Sequence, residues 1–587
     1  MNEEIANILR ALSYYLEMEN VPFKPQAYQK ASQAIQTMTE DVQDIYSRGG
    51  LAALKEISGV GESIAKKIEE YIKTKHIKEF DEYQKRIPVD IFNLIDIEGL
   101  GPKTIYNLYQ YLKIKTRDDL EKAALNGQIR NLPGFGAKSE ENILKNLNFQ
   151  KEPKRYLFAE IESKWKKLEN FLKSTKAFSR IDIAGSFRRK KETIGDMDIL
   201  VASQSSNLKT TFKNILAKLK PVRIWALGET KVSFLSQWGF DVDIRLVKDS
   251  EYAAALLYFT GSKDHNIKLR ELVMKKGYKL NEYGLFKTKN NKEQIITVDS
   301  EKAIYSKLGL DYIEPELREN TGEIEAAKEH RLPRLVNLSD IGGDFHIHTP
   351  RHKFVFDGQQ EKEIIYQYIN LAQQLGYKYL GISNHTNYLK IEYGLSEEEL
   401  IQEHKLIEKI NNELQKRRID FFIFHGCEAN VLKDGTLDIS DKVLKELDYV
   451  IASVHSHFKL SKTEQTNRIV KAIKNPNVDI LGHPTGRLIN QRPEYEVDLE
   501  AIIDACQKTK TILEINASPF RLDLNDVSIK EAIHNKIQLI INSDSHQIDQ
   551  LNFMKYGVYQ ARRGWAEVPN ILNTFNQREI QNFFKYH

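Results

Sequence analysis

Cysteine is nearly absent from this chain: Cys427 and Cys506 are the only two in 587 residues. Two thiols are too few for a disulfide framework or a thiolate zinc site, and they fit a reducing compartment. No apolar run approaches the ~20 residues of a membrane span, which excludes a helical membrane protein. The start, Met1-Asn2-Glu3-Glu4-Ile5, lacks a charged-then-apolar leader, so a cytoplasmic protein is expected. There is no low-complexity tract. Histidine is scarce at first: His76, His265 and His330 are the only ones before residue 342, and the other twelve of 15 follow. That divide implies two chemistries in two halves.

What is present is ordinary globular material, 41% hydrophobic and 29% charged, long enough for about four domains at ~150 residues each. The net charge of +4 hides an asymmetry. Residues 1–341 carry 56 Lys+Arg against 49 Asp+Glu (+7), and 342–587 carry 30 against 33 (−3). Within the first part, 101–300 carries 38 against 23 (+15), an excess that suits a polyanion's backbone.

The densest signal is Gly185-Ser186-Phe187-Arg188-Arg189 followed by Gly195-Asp196-Met197-Asp198-Ile199-Leu200. Side chains alternate faces along a strand, so Asp196 and Asp198 point the same way, and two carboxylates that close need a cation. The upstream turn offers backbone N–H groups, a hydroxyl and two guanidinium groups, which suits a polyphosphate whose magnesium ions the aspartates hold. The pattern reads as nucleotidyl transfer.

A second pattern occurs three times. Ile57-Ser58-Gly59-Val60-Gly61, Ile97-Glu98-Gly99-Leu100-Gly101-Pro102-Lys103 and Leu132-Pro133-Gly134-Phe135-Gly136-Ala137-Lys138 each place a Gly-x-Gly hairpin before a helix start. N–H groups at a helix N-terminus can accept a phosphate. These elements look like helix-hairpin-helix motifs, which grip DNA backbone without reading bases. Short amphipathic helices are expected over the first 85 residues, with Ile5, Ile8, Leu9, Leu12 and Tyr15 at helical spacing. Strands dominate 151–258, at 181–184, 198–201 and 240–247, and a mixed sheet flanked by helices is expected there.

On these residues the first ~320 positions resemble a family X DNA polymerase, similar to DNA polymerase beta. The resemblance implies that Asp196 and Asp198 bridge two metal ions, magnesium with manganese able to substitute, and that Asp243 completes the set. Spacing alone leaves Asp241 and Asp243 open, since both project from one strand face; the family pattern selects Asp243. By the same resemblance Ser186, Arg189, Gly195 and Arg155 cradle a triphosphate. Tyr258, Phe259 and Gly261 lie beneath the incoming sugar, and Asn266 and Arg270 meet the new base pair's minor groove. Lys24, Tyr28 and Lys67 fall where the family holds a 5′-phosphate, with Gly59, Gly61, Gly99, Gly101 and Lys103 as DNA-backbone contacts. Lys67 also matches a Schiff-base lysine, a role that needs an amine with a depressed pKa, and Ser63 stands where the animal enzyme has a further pocket lysine.

The histidine-rich half opens with Asp344-Phe345-His346-Ile347-His348-Thr349, two imidazoles on one strand face. Alternating strands at 378–383, 419–424, 448–453, 478–481, 511–516 and 537–542 suggest an α/β barrel. His385, Glu428, His455, His483, Asp544 and His546 fall near the C-terminal ends of strands, where barrel enzymes assemble their sites. The set resembles the polymerase-and-histidinol-phosphatase (PHP) domain. That resemblance implies ligands His346, His348, Asp357, His385, Glu428, His455, His483, Asp544 and His546 around a three-metal cluster of manganese, zinc or iron, with Glu428 bridging. It departs in the long spacer before Asp357 and in Asn384, where an aspartate often stands. Arg487 and Arg521 are candidate phosphate contacts, and Asn516 a supporting residue. His352, His404, His425, His457 and His534 read as ordinary core or surface histidines.

The expected fold is multidomain. Helix-hairpin-helix modules span 1–85 and 86–150, an α+β nucleotidyltransferase palm with a mixed sheet 151–258, and a nucleotide-selection subdomain 259–320. A linker at 321–341 then leads to a distorted α/β barrel of PHP type at 342–587. The expected function is short-gap filling in DNA repair, including base excision repair, by a monomer acting on gapped or primer-template DNA and dNTPs with no membrane partner. The barrel is expected to act as a 3′-to-5′ exonuclease or abasic-site endonuclease. Two alternatives are a polymerase whose barrel is a phosphatase or pyrophosphatase, and a non-catalytic DNA-end scaffold.

Overall fold

The computed structural model describes residues 1–587 except 39, 58, 96, 98, 149–154, 204–207, 290–291, 351–356, 387–393 and 586–587. Ser58 and Glu98 of the first two hairpins, and His352, lie outside the described residues. The chain forms two compact units, Met1–Lys154 and Arg155–His587.

The first unit is helical around one continuous core that runs from Ile5 to Leu147. The three hairpins repeat one geometry. Val60, Leu100 and Phe135 each donate a backbone N–H to the carbonyl three residues earlier (Ile57, Ile97 and Leu132), at 2.9–3.0 Å. Gly59, Gly99 and Gly134 hold positive φ of 71°, 90° and 82°. Helices Glu62–Thr74, Pro102–Leu112 and Ala137–Asn148 follow. Gly59 is under a second constraint, since a Cβ there would lie 2.8 Å from the backbone N of Ala31. The turn can pack that closely only without a side chain.

In the second unit, β1 (Tyr156–Leu157) and β3 (Thr193–Ile194) pair as a two-stranded ribbon beside a five-stranded mixed sheet. The larger sheet consists of β2 (Arg180–Ile183), β4 (Asp196–Ala202), β5 (Arg223–Leu227), β6 (Lys231–Leu235) and β7 (Asp241–Val247), in the order β2-β4-β7-β6-β5. β4 and β7 run parallel with Asp196 opposite Asp241 and Asp198 opposite Asp243. An antiparallel sheet follows, of β8 (Tyr278–Asn281), β9 (Gly284–Lys289) and β10 (Lys292–Ile296).

The segment 321–341, expected as a linker, is built into this unit instead. Glu323–Lys328 is helical, Ile324, Ala327 and Leu335 join one core, and Val336 and Ile341 join the next. Its polar composition misled because Glu323 is spent internally: buried, its Oε1 lies 2.7 Å from His265 Nδ1 and accepts from Asn320 N.

The C-terminal sheet is all parallel in sequence order: β11 (Gly343–Asp344), β12 (Tyr379–Ile382), β13 (Phe422–Asn430), β14 (Tyr449–Ser453), β15 (Ile480–Leu481), β16 (Ile512–Asn516) and β17 (Leu539–Asn542). Its two ends approach each other past the last strand. Ser545 N donates to His346 O (3.1 Å) and His348 N donates to Ser545 O (2.7 Å). The sheet is therefore a nearly closed barrel, and that closure decides where its histidines meet. No helix among the described residues is long and apolar enough to cross a membrane.

Candidate active sites

The parallel pairing of β4 and β7 sets the first site. Asp196 and Asp198 project from one face of β4, and register brings Asp243 beside Asp198. Burial, then the charges of Asp196 and Asp243, push the Asp198 carboxyl up to about 7, and burial with Asp243 raises Asp196 as well. Crowded carboxylates that resist ionisation together are a donor set for divalent cations. Asp241, on the same face, adds to the crowding at Asp196 but is engaged elsewhere. Its Oδ1 accepts from Trp225 Nε1 at 2.7 Å, whereas Asp243 Oδ2 lies 2.8 Å from Lys231 Nζ.

Asp196 and Asp198 form one wall of a cavity of about 570 Å³ whose lining also includes Arg155, Gly185, Ser186, Arg189, Tyr258, Phe259, Gly261, Asn266 and Arg270. Nearly every residue expected to bind the nucleotide is thus in one place; Gly195 lies against it, 3.3 Å separating an ideal Cβ there from Arg155 Nη1. Lys191 and Lys263, not singled out from sequence, complete the cationic lining. Gly185 is required here twice over. Its φ is +59°, and a Cβ would fall 2.4 Å from Asp198 Oδ2. Arg189 Nη1 donates to Thr260 O (2.6 Å) and Nε to Glu319 Oε1 (3.0 Å). Arg188, read from sequence as a second phosphate-facing guanidinium, is used otherwise. It pairs with Glu301 and donates to Thr260 Oγ1, in a buried network completed by Arg318.

In the helical unit, Lys24 is exposed and Tyr28 buried, and Lys67 Nζ lies 5.8 Å from the centre of the Tyr28 ring. The same amine is 2.8 Å from Glu79 Oε2. Burial pulls its pKa down, but the bonds to Glu79 and Tyr28 outweigh that and raise it. The depressed amine that Schiff-base chemistry needs is therefore not built here. Gly61 and Gly101 occupy the N-cap positions of their helices, and Lys103 is exposed in the first turn of the second.

The second site sits at the C-terminal ends of the barrel strands. Glu428, fully buried on β13, is its hub: His385 Nδ1 lies 2.6 Å from its Oε2, and His483 Nε2, His455 Nε2 and His346 Nε2 lie 3.0, 3.2 and 3.4 Å from its Oε1. Asp544 Oδ1 is 3.4 Å from His348 Nε2 and 3.6 Å from His346 Nε2. His385 Nε2 and His546 Nε2 stand 3.3 Å apart. Three overlapping groups could each hold an ion: His348/His385/His546, His346/His348/Asp544 and His385/Glu428/His455. Buried nitrogens at His346 Nε2, His348 Nδ1 and Nε2 and His483 Nδ1 make no hydrogen bond. Such orphaned atoms are costly unless something binds them, and imidazole–carboxylate donors suit manganese, zinc or iron. The residues present fit a metal cluster.

Asp357 is not brought to this cluster. It is exposed and caps the helix Gly358–Gln374, its Oδ1 accepting from Gln359 N and Gln360 N, and it belongs to none of the metal groups among the described residues. The residue that sequence reading missed is Glu514. Every barrel strand except β16 supplied an expected ligand, and β16 supplies this buried carboxylate. Glu514 Oε1 lies 2.6 Å from His346 Nδ1 and Oε2 accepts from His483 N. Burial lowers the His346 pKa, but Glu514, Glu428 and Asp544 outweigh it. Asn516 Nδ2 donates to both Glu514 and Asp544, and Asn430 Oδ1 lies 2.7 Å from His455 Nδ1, fixing ring orientations. Arg521 Nε is 3.5 Å from Asp544 Oδ2, whereas Arg487 pairs with Glu192 of the palm. His425 takes a structural role beside Glu403, and burial lowers its pKa to about 4.

Comparison with known proteins agrees with this division. Family models match for a helix-hairpin-helix domain (residues 1–77), a SAM-like helix-hairpin-helix tandem (92–148), a DNA polymerase beta palm (158–225) and a DNA polymerase beta thumb (255–319). A Bacillus subtilis protein named DNA polymerase/3′-5′ exonuclease PolX is 35% identical over 588 residues, covering 99% of both chains. A probable phosphatase of Clostridium acetobutylicum is 30% identical over 212 residues, 35% of this chain and 78% of its own. One from Caldicellulosiruptor bescii is 41% identical over 101 residues, 17% and 40% of the two lengths. With a beta-like palm and thumb, tandem hairpins, a metal-fitted barrel and 35% identity to a PolX protein over its full length, the chain belongs to the PolX group of family X DNA polymerases, whose beta-like core is followed by a PHP domain.

Proposed function

We propose that this enzyme fills short gaps in DNA during repair and shortens 3′ ends with its barrel. The observation that carries the reading is the cavity in which paired aspartates face Ser186, Arg189 and the Tyr258–Gly261 turn. Asp196, Asp198 and Asp243 would hold magnesium, which supplies charge neutralisation for the triphosphate and activates the primer 3′-hydroxyl. Arg155 and Arg189 orient the phosphates. Asp243, its Oδ2 already set by Lys231, is the acceptor assigned to the hydroxyl proton. The Tyr258–Phe259 pair floors the sugar, and Asn266 and Arg270 face the base pair. The three hairpins and Lys24, Tyr28 and Lys67 hold DNA backbone and the 5′-phosphate at a gap.

In the barrel, His346, His348, His385, Glu428, His455, His483, Asp544 and His546 would hold manganese or zinc, supplying a low-pKa water and neutralising phosphodiester oxygens. Glu514 and Asn516 orient these ligands, and Arg521 meets the departing phosphate. A phosphatase reading for the barrel has one support, the resemblance of this region to the probable phosphatases. We expect a monomer acting in the cytoplasm.

Labelled one-nucleotide-gap DNA tests the assignment. Gap filling with magnesium should vanish in Asp243→Ala and persist in His346→Ala. Stepwise shortening with manganese should show the reverse. Loss of both activities in either variant, or release of phosphate from small esters without shortening, would refute the division of labour.

A further inference from the structure

The barrel domain contacts residues that line the nucleotide cavity from behind. Helix Met554–Arg563 ends on Arg563, whose side chain is 2% exposed and whose Nη1 donates both to the backbone O of Arg189 (2.8 Å) and to Glu319 Oε1 (2.9 Å). That Glu319 oxygen also accepts from Arg189 Nε, at 3.0 Å. One guanidinium from the other catalytic domain thus holds the Arg189 main chain directly and contacts its side chain through Glu319, beside the side chain's own bond to Thr260 O. Arg563 is itself anchored by Asp526.

Neighbouring contacts point the same way. Lys190 Nζ lies 4.4 Å from the ring centre of Tyr559 on the same helix, Arg487 pairs with Glu192, and Asn490 Nδ2 donates to Arg155 O at 2.9 Å. Two of the cavity's arginines, Arg155 and Arg189, are therefore tied to barrel residues.

We infer that Arg563 is a positioning residue for nucleotide binding: through Glu319 and the Arg189 carbonyl it holds the Arg189 guanidinium where the triphosphate docks, making the barrel a structural part of the polymerase site. The inference rests on the gap-filling reading above. Without this clamp the Arg189 carbonyl loses its donor and Glu319 is left to Arg189 and Lys191, so the Arg189 guanidinium is drawn towards Glu319, and the loss should fall on nucleotide affinity rather than on DNA affinity.

Steady-state single-nucleotide insertion by the full-length protein tests it, with DNA binding, thermal melting and 3′-end shortening measured on the same preparations. Arg563→Met should raise the KM for dNTP roughly tenfold or more, the scale of one charge-assisted hydrogen bond. DNA affinity and shortening should stay near wild type, and Arg563→Lys should recover part of the loss. Lys555→Met is the control: it breaks the pair with Glu162 from the same helix but touches no cavity residue, so the KM for dNTP should not change. An unchanged KM in Arg563→Met, an equal rise in Lys555→Met, or parallel loss of both activities would overturn the inference. Failure of the wild-type protein to insert nucleotides would instead overturn the underlying reading.

Discussion

Replacing Gly185 by alanine should disable template copying while leaving the fold intact. The glycine has φ +59°, where a Cβ costs about 1–2 kcal/mol, and the added carbon would lie 2.4 Å from Asp198 Oδ2 and 3.2 Å from its Cγ. Ordinary contact begins at 3.4 Å, so the carboxylate must retreat by about 1 Å (3.4 − 2.4). It has little room to do so, because β4 is pinned between β2 and β7 and Asp198 is partly buried in the sheet face. Misplacing a catalytic group by ~1 Å costs ~10²-fold, or about 2.7 kcal/mol of barrier. Single-nucleotide insertion should therefore show kcat/KM reduced about a hundredfold, with 3′-end shortening unaffected because no barrel ligand touches this turn. A Gly185→Ala enzyme inserting within about threefold of wild type would refute the reasoning.

Three further outcomes follow from the geometry. Glu514→Gln should strip metal from the barrel and reduce shortening at least tenfold, as outer-shell changes do, measured by metal content per chain and by the nuclease assay; full metal retention would show that Glu514 does not orient His346. Glu301, despite its burial, is held down to about 2 by Arg318 and Arg188. Its folded pKa lies below the unfolded value of about 4.5, so it contributes about 3 kcal/mol above that value, lost as pH falls from about 4.5 to 2; denaturant melts of wild type and Glu301→Gln should converge over that window. Lys67, paired with Glu79, should form no borohydride-trappable adduct with abasic DNA at neutral pH, and a trapped adduct lost in Lys67→Ala would contradict the raised pKa.

Much of both sites could be read from the sequence because local rules set them. Strict alternation places Asp196 and Asp198 on one face, and ligands at strand ends mark the barrel rim, so His385, His455, His483 and Asp544 were visible one strand at a time. Glu514 was not, because it interrupts an apolar strand (Ile-Leu-Glu-Ile) and only barrel closure shows that it faces His346 rather than a solvated edge. Asp357 was assigned from a ligand pattern, while its local context, an Asp immediately before a helix, is that of an N-cap. Arg188, Arg487 and the segment 321–341 share another cause: their partners Glu301, Glu192 and His265 lie 113, 295 and 58 residues away in sequence. Charge alone does not tell a phosphate ligand from half of a buried ion pair.

The most direct test is a crystal of the protein with gapped DNA, a non-hydrolysable dNTP analogue and manganese, read by anomalous scattering. Two peaks roughly 3.5–4 Å apart, held by Asp196, Asp198 and Asp243 beneath the triphosphate, are the predicted result. A triphosphate bound in the cavity with no anomalous density at those three carboxylates would contradict the account.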